Sequence, residues 1–368
     1  MNHVVTITVG GKTIGGWTDY EIESSLVEPA DAFRMSRPFD VEAWGLCETS
    51  AEVVIAIDGV IILSGFVDKR RWSSDGSMYI EGRDRLGWLV QDSAPDVAYG
   101  GQLMLDVVKR LASPMFTSVT ASDARNRRVR RGRGSKAAAG SEPTIANSVL
   151  PNGHIDPGRT RFAVLEELLS VDGLLMWSAG DGRELVVGKP NHDQEVQYVI
   201  RRSSDERSTC ISIDYEEDIG DRYSRIVVSG SGAGNDANYA TNVIGWRGEW
   251  REGPAADGTG ISFARAKTLV LVEQSVRDGR TATKIAQREA ARRNFHARAV
   301  NATMPGHGQV VGSGAVTLFA PNTIALVAID DLAVRDRWLV YACTYAGNRR
   351  TGSTTALKLV PRGTEIYP

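Results

Sequence analysis

From Tyr20 to Leu26 the chain alternates: Tyr20, Ile22, Ser24 and Leu26 are apolar or small, while Glu21, Glu23 and Ser25 are polar. That period of two is what a strand with one wet face requires. Similar short runs fill the first 95 residues and are separated by two-residue turn signals. Val4–Val9 and Lys12–Trp17 flank Gly10-Gly11, Glu52–Ile57 and Val60–Trp72 flank Asp58-Gly59, and Ser77–Gly82 follows Asp75-Gly76. Each pair suits a type I′ turn, whose two central residues need positive φ. Strands this short at this spacing predict a small barrel or sandwich.

After Pro95 the period changes. Leu103, Leu105, Val107, Val108 and Leu111 recur at helical spacing, which predicts a helix over Gly101–Ser113. A second helix begins near Thr160, with Phe162, Leu165, Leu168 and Leu169 on one face and Gly173 placed to stop it. Leu174–Ser178 and Arg183–Gly188 then read as a hairpin around Asp181-Gly182. Ile226-Val227-Val228 is the clearest strand beyond. A long amphipathic helix is expected over 281–299, with Ile285, Ala286, Ala290 and Phe295 inward, and the final residues return to strands at Ala315–Phe319, Ile324–Ile329, Arg337–Tyr345 and Thr354–Val360. The fold class is therefore mainly β with α+β character. Its parts are a first β-barrel domain (1–95), a mixed α/β module (96–205) with an insert at about 117–158, and a second barrel domain (206–368) that carries the long helix.

Composition narrows the function classes. The 368 residues hold 43 Lys+Arg against 45 Asp+Glu, a net charge of −2 that gives no bulk attraction to nucleic acid or anionic membrane. Cys47, Cys210 and Cys343 lie too far apart for a zinc or Cys-x-x-Cys motif and read as buried thiols. Neither a secretory signal nor a run of about 18 apolar residues is visible, so folding in a cytoplasm is expected.

Candidate chemistry is sparse. Gly230-Ser231-Gly232-Ala233-Gly234-Asn235-Asp236-Ala237 follows a strand and contains a Gly-x-Gly-x-x-Ala reading, but Asn238–Trp246 has no helical period to hold a pyrophosphate. The five histidines, His3, His154, His192, His296 and His307, show no ligand spacing and read as surface residues. His154 and Asp156 near a Gly-Pro turn are a weak metal candidate. Glu166-Glu167 and Glu216-Glu217-Asp218 are adjacent carboxylates, which point apart rather than facing each other as a glycosidase pair must. Trp72, Trp88, Trp177, Trp246, Trp250 and Trp338 lie in or beside strands, where packing is the default. The insert carries Arg125, Arg127, Arg128, Arg130, Arg131, Arg133 and Lys136. Clustered guanidiniums can hold phosphates or an acidic protein surface, yet without interleaved aromatics the run reads first as a solvated loop. No cofactor is expected, and the chain does not read as an enzyme.

Two blocks carry a resemblance. The first is Ile61–Asp68 with its Gly65-Phe66-Val67, a hairpin, Gly82-Arg83-Asp84, and Leu89-Val90-Gln91-Asp92-Ser93. The second is the Ala- and Arg-rich Ala286–Ala299, Leu318–Val327 with Pro321-Asn322, Asp330-Asp331, Trp338–Tyr345, and Gly352–Pro361. In this order they resemble the tail baseplate hub proteins of Mu-type contractile phages, nearly end to end except for the arginine-rich insert. The resemblance implies a hub-type phage tail fold and a homotrimer whose two barrels per chain form a pseudo-sixfold ring. Such a ring joins a hexameric tail tube to a trimeric spike in the baseplate of a virion assembled in the host cytoplasm. The implied partners are further copies of the chain, tube and spike proteins, and baseplate wedge and tape-measure proteins. No membrane is implied, and nucleic acid enters only as DNA in transit. A spike-complex protein of a type VI-like secretion system and a tail-associated cell-wall hydrolase are the alternatives.

Overall fold

The fold is that of a computed structural model describing residues 3–122, 148–150, 153–170, 172–179, 182–204, 207–230, 246–252, 266–273, 276, 278–311, 315–350 and 352–366. It divides into two units. The first comprises residues 1–170, 174–214 and 300–362, and the second 171–173, 215–299 and 363–368.

The first unit opens with β1 (Val5–Val9), β2 (Lys12–Ile14), β3 (Asp19–Ser25), β4 (Ala32–Pro38), α1 (Val41–Leu46), β5 (Glu52–Ile57), β6 (Val60–Trp72) and β7 (Ser77–Asp84). Gly10 and Gly11 have φ of 56° and 80°, and Asp58 and Gly59 of 50° and 81°, as type I′ turns require. The third turn differs. Only Gly76 has positive φ, 83°; Ser73 N–H donates to Ser77 O, and Asp75 Oδ1 accepts from Ser77 N–H at 2.9 Å. The aspartate side chain thus holds a longer loop in place of the expected two-residue turn.

An α/β module follows: α2 (Leu86–Gln91), α3 (Met104–Ala112), β8 (Ser118–Ser122), α4 (Arg161–Ser170), β9 (Leu175–Ser178) and β10 (Glu184–Gly188). Leu89, Val107, Val108, Leu111, Leu165, Leu169, Leu185 and Val187 close its core. The helix expected from Gly101 starts at Met104, because Leu103 is extended and bridges Val149. α4 ends as expected: Gly173 has φ 65°, and Leu174 N–H donates back to Leu169 O at 3.0 Å, closing a Schellman turn.

β11 (Val196–Arg202) then leads to β12 (Ser212–Glu217), within which the chain leaves the first unit. In the second unit, β13 (Arg225–Gly230) pairs antiparallel with β14 (Arg247–Arg251) and parallel with β15 (Thr268–Glu273). α5 (Gly279–Phe295) lays Ala282, Ala286 and Ala290 over Ile226 and Val228. A Cβ on Gly248 would lie 2.1 Å from Thr283 N, so the glycine and the alanine face together let β14 and α5 approach at backbone distance. The helix stops at Phe295, four residues before the expected end, and the chain re-enters the first unit within β16 (Arg298–Pro305).

β17 (Gly308–Val311), β18 (Ala315–Leu318), β19 (Thr323–Ile329), β20 (Val334–Asn348) and β21 (Gly352–Pro361) complete the chain. The large sheet has the order β12-β16-β21-β20-β3-β4-β7-β6-β5-β1-β2, with β19 beside β20 and β11 beside β19. The fold is mainly β, in agreement with the sequence. Among the described residues no helix is long and apolar enough to cross a membrane.

Candidate assembly surfaces

The N-terminal and C-terminal strands of the large sheet meet at β3 and β20. They pair antiparallel from Ala342↔Ser25 to Asn348↔Asp19. Gly347 faces Tyr20, and a Cβ there would sit 2.3 Å from the phenol ring, so the ring occupies the space a side chain would take. Tyr20 OH reaches His307 Nε2 at 2.7 Å and Ser353 Oγ at 3.1 Å.

Proton positions follow from the partners. Thr355 Oγ1 donates to Gly306 O at 2.8 Å, so it accepts from His307 Nδ1–H at 3.0 Å. His307 Nε2 therefore accepts from the Tyr20 hydroxyl. The backbone N–H of His307 donates to His3 Nε2 at 2.9 Å, and His3 Nδ1–H donates to Asp58 Oδ2 at 2.6 Å. The two imidazoles lie 4.7 Å apart. Burial, and then the neighbouring His3, push the His307 pKa down to about 4. This Asp-His and His-Tyr array, on a fully buried His307, clamps β1, β3, the β16–β17 turn and β21 together. The sequence placed both histidines at the surface. Only the sheet pairing brings them together across 304 positions.

A second buried cluster lies where β7 leaves the sheet. Asp84 Oδ2 accepts from Ser178 Oγ at 2.8 Å, and its Oδ1 from Gly87 N–H at 3.3 Å. Burial pushes the Asp84 pKa up to about 7 against these bonds. Asp31, held by Ser24 Oγ and Ser25 N–H, is likewise raised by burial and by the Asp84 charge. Arg83, the middle residue of Gly82-Arg83-Asp84, pairs with Asp68 at 2.6 Å. Gly82 is needed for space: a Cβ would lie 2.0 Å from Phe66 O and 2.6 Å from the Phe33 ring.

The strands around the β3–β20 junction are an internal repeat. β3-β4-β7-β6-β5-β1 has the same neighbour order as β12-β16-β21-β20-β19-β11. The match extends to register. Phe33↔Gly82↔Val67 in the first set corresponds to Val300↔Leu359↔Val340 in the second. Pro38↔Ser77 likewise corresponds to Pro305↔Thr354. β6 has its irregularity between Val67 and Lys69, and β20 between Val340 and Ala342. Thr18 N–H donates to Ser36 O as Ile211 N–H does to Thr303 O. Tyr20-Glu21-Ile22-Glu23 therefore lies over Ile213-Asp214-Tyr215-Glu216. One difference stands out: β1 pairs antiparallel with β5, whereas β11 pairs parallel with β19.

The residues singled out from the sequence fall as follows. Arg125, Arg127, Arg128, Arg130, Arg131, Arg133 and Lys136 lie outside the described residues, as does the glycine-rich stretch after Gly230. Glu167 pairs with Arg159, and Glu217 with Arg298 at 3.1 Å, so these carboxylates are held in ion pairs. His154 meets Asp96 at 2.7 Å, and among the described residues no group of three or more His, Cys, Asp or Glu could hold a metal. The three thiols are free and buried. Trp338 is in the core, but Trp72 is 55% exposed beside Phe39, with Arg70 stacked on Trp44 at 4.5 Å. Trp, Phe and Arg in this setting are the usual anchors of protein interfaces.

Residues 4–84 match the family model of the Mu phage baseplate assembly protein GpP-like, N-terminal. The baseplate hub protein gp44 of Escherichia phage Mu is 24% identical over the whole of this chain and 90% of its own length. Among solved structures, the tail protein from Neisseria meningitidis MC58 aligns with a TM-score of 0.77 at 23% identity, covering 99% of this chain and 98% of its own. The 43 kDa tail protein of prophage MuSo2 from Shewanella oneidensis aligns with a TM-score of 0.75 at 17% identity, covering 99% and 100%. The resemblance drawn from the sequence is thus found along the whole length.

Proposed function

We propose that this chain, homologous over its whole length to the baseplate hub of phage Mu, is the structural hub of a contractile tail or tail-derived particle, and acts without catalysis. The observation that carries the reading is the register-equivalent strand repeat, taken together with that full-length similarity. A threefold body that seats a sixfold tube must offer six similar surfaces, or half of the tube's interface groups go unmatched. Two equivalent strand sets per chain supply six in a homotrimer. The tail tube is then the partner on one side and the trimeric spike on the other, with wedge and tape-measure proteins as further neighbours. The hub would be assembled in the host cytoplasm and end in the virion baseplate. Within this reading the Arg125–Lys136 run is offered as a contact for an acidic partner surface. Full-length sequence similarity favours this reading over a type VI-like spike-complex protein. Light scattering of the purified chain tests it: a mass of three copies, alone or with the cognate spike, is expected. A particle that stays monomeric at micromolar concentration with and without the spike would refute it.

A further inference from the structure

The internal repeat leaves one strand edge in each half without a counterpart to the β3–β20 junction. β20 takes β19 along Val334–Val340 and, past its irregularity, takes β3 along Ala342–Asn348. Its equivalent, β6, takes β5 along Val60–Phe66. Past its own irregularity, Lys69–Trp72 pairs with β7, and among the described residues no strand lies on its other edge. In the second half, β12 is the equivalent of β3 and stands at the end of the sheet, with no partner on its far edge among the described residues. Each chain therefore carries one open edge of each kind.

We propose that these two edges are the seam between copies of this chain. β12 of one copy adds antiparallel to the Lys69–Trp72 edge of β6 on the next, in the register that β3 keeps on β20. Carrying that register over sets Lys69 opposite Asp218, Arg70 opposite Glu217, Arg71 opposite Glu216 and Trp72 opposite Tyr215. The within-chain templates are Ala342↔Ser25, Cys343↔Ser24, Thr344↔Glu23 and Tyr345↔Ile22. Lys69 and Arg71 thus meet Asp218 and Glu216 on one face and Trp72 meets Tyr215 on the other, where Arg70 and Glu217 already engage Trp44 O and Arg298. Nothing in deriving the register used charge, so this complementarity is an independent observation. Opposite charges directly across an antiparallel pair attract and like charges repel, which selects this register over its neighbours. Lys69, Arg71, Glu216, Glu217 and Asp218 are all exposed, and so is Trp72.

The seam is heterologous, so it generates a closed ring or an open chain according to the rotation it imposes. If it repeats the within-chain junction, six equivalent halves alternate covalent and non-covalent junctions. The number of copies, three, rests on the proposed function; the seam itself rests on the repeat.

Cysteine pairs test it. Directly opposite residues have Cα atoms about 4.5–5.5 Å apart, within disulfide reach. The double variant Arg71→Cys/Glu216→Cys, treated with diamide to take two electrons and two protons from the facing thiols, should form covalent multimers ending at three copies. Arg71→Cys/Glu217→Cys, one residue out of register, should cross-link at least about tenfold less because successive side chains point to opposite faces. Circular dichroism of both variants checks that they fold. In addition, Arg71→Glu should weaken self-association at least about tenfold, and Glu216→Arg in the same chain should restore it. A light-scattering trimer in which only the out-of-register pair cross-links, or neither does, overturns the seam and leaves the hub reading intact. Multimers continuing past three support the seam and overturn the threefold reading. An uncross-linked monomer, or a disulfide closing within one chain, overturns the seam.

Discussion

Replacing His307 by glutamine should change how stability responds to acid, and the size of the change follows from its surroundings. His307 is fully buried, accepts from Tyr20 OH at Nε2 and donates from Nδ1 to Thr355. Burial and the neighbouring His3 lower its pKa from 6.5 to about 4. The unfolded chain therefore binds more protons than the folded one between these values. Linkage makes the folded state lose stability as pH falls through that window, by about 2 kcal/mol between pH 7 and pH 5. The parent protein alone would hide this, because Asp84 acts with the opposite sign. Its carboxyl is raised from 3.8 to about 7, so its contribution is fully present below 3.8 and is lost as pH rises through 7. Acidification from pH 7 to pH 5 then returns stability, and Asp31, raised by the same burial, adds to it. The measurement is urea unfolding of both proteins at the two pH values. On going from pH 7 to pH 5, His307→Gln, whatever its absolute stability, should gain about 2 kcal/mol relative to the parent, a difference in which the contributions of Asp84 and Asp31 cancel. An equal pH response in both proteins would refute the assignment of His307 as a neutral acceptor.

Three further outcomes are expected. Gly82→Ala should cost at least about 3 kcal/mol in urea unfolding, since its Cβ would meet Phe66 O at 2.0 Å and backbone must move; a cost under about 1 kcal/mol would contradict the close approach. Ser178→Ala removes a donor to the buried Asp84 carboxylate and should cost about 1.5–3 kcal/mol at pH 8, with less lost at pH 5, where the carboxyl is protonated. Asp278 caps α5 by accepting from Thr281 N–H at 2.6 Å, so Asp278→Ala should cost about 1 kcal/mol, which thermal unfolding can read.

What could be read from the sequence was local. The turns at Gly10-Gly11 and Asp58-Gly59, the alternation of β3 and the Schellman glycine at 173 all depend on residues within a few positions of one another. The Asp75-Gly76 turn departs from the two-residue form its dipeptide predicts because its conformation is set by Ser73, Ser77 and the Asp75 side chain. The His3–His307 pair had no local signature, since it exists only once the fold brings the residue ahead of β1 against the β16–β17 turn. The repeat was more nearly accessible. Tyr20-Glu21-Ile22-Glu23 and Ile213-Asp214-Tyr215-Glu216 share an alternation of ring or aliphatic with acid, and Pro38 and Pro305 each end the strand that follows. Those cues are too short to stand above chance until the register supplies the intervening pairs.

The two equivalent edges also differ in the way their different duties demand. The β20 edge facing β3 reads Ala342-Cys343-Thr344-Tyr345, uncharged and with Cys343 and Tyr345 buried, because its partner is supplied by the same chain and the edge never waits in water. Its counterpart on β6 reads Lys69-Arg70-Arg71-Trp72. An open, flat, neutral edge there would pair with any exposed strand, including another β6, and lysine or arginine on an edge is a common protection. The exposed Lys69 and Arg71 repel a second β6 and a neutral strand gains nothing from them, but a strand carrying Glu216 and Asp218 neutralises them in one register. The same charges that keep the free chain from indiscriminate pairing therefore define the partner it accepts. On this reasoning, neutralising the exposed Lys69 and Arg71 together should leave the fold intact while converting a defined oligomer into a polydisperse one in light scattering. A double variant that kept a single defined mass would show that backbone geometry alone selects the partner.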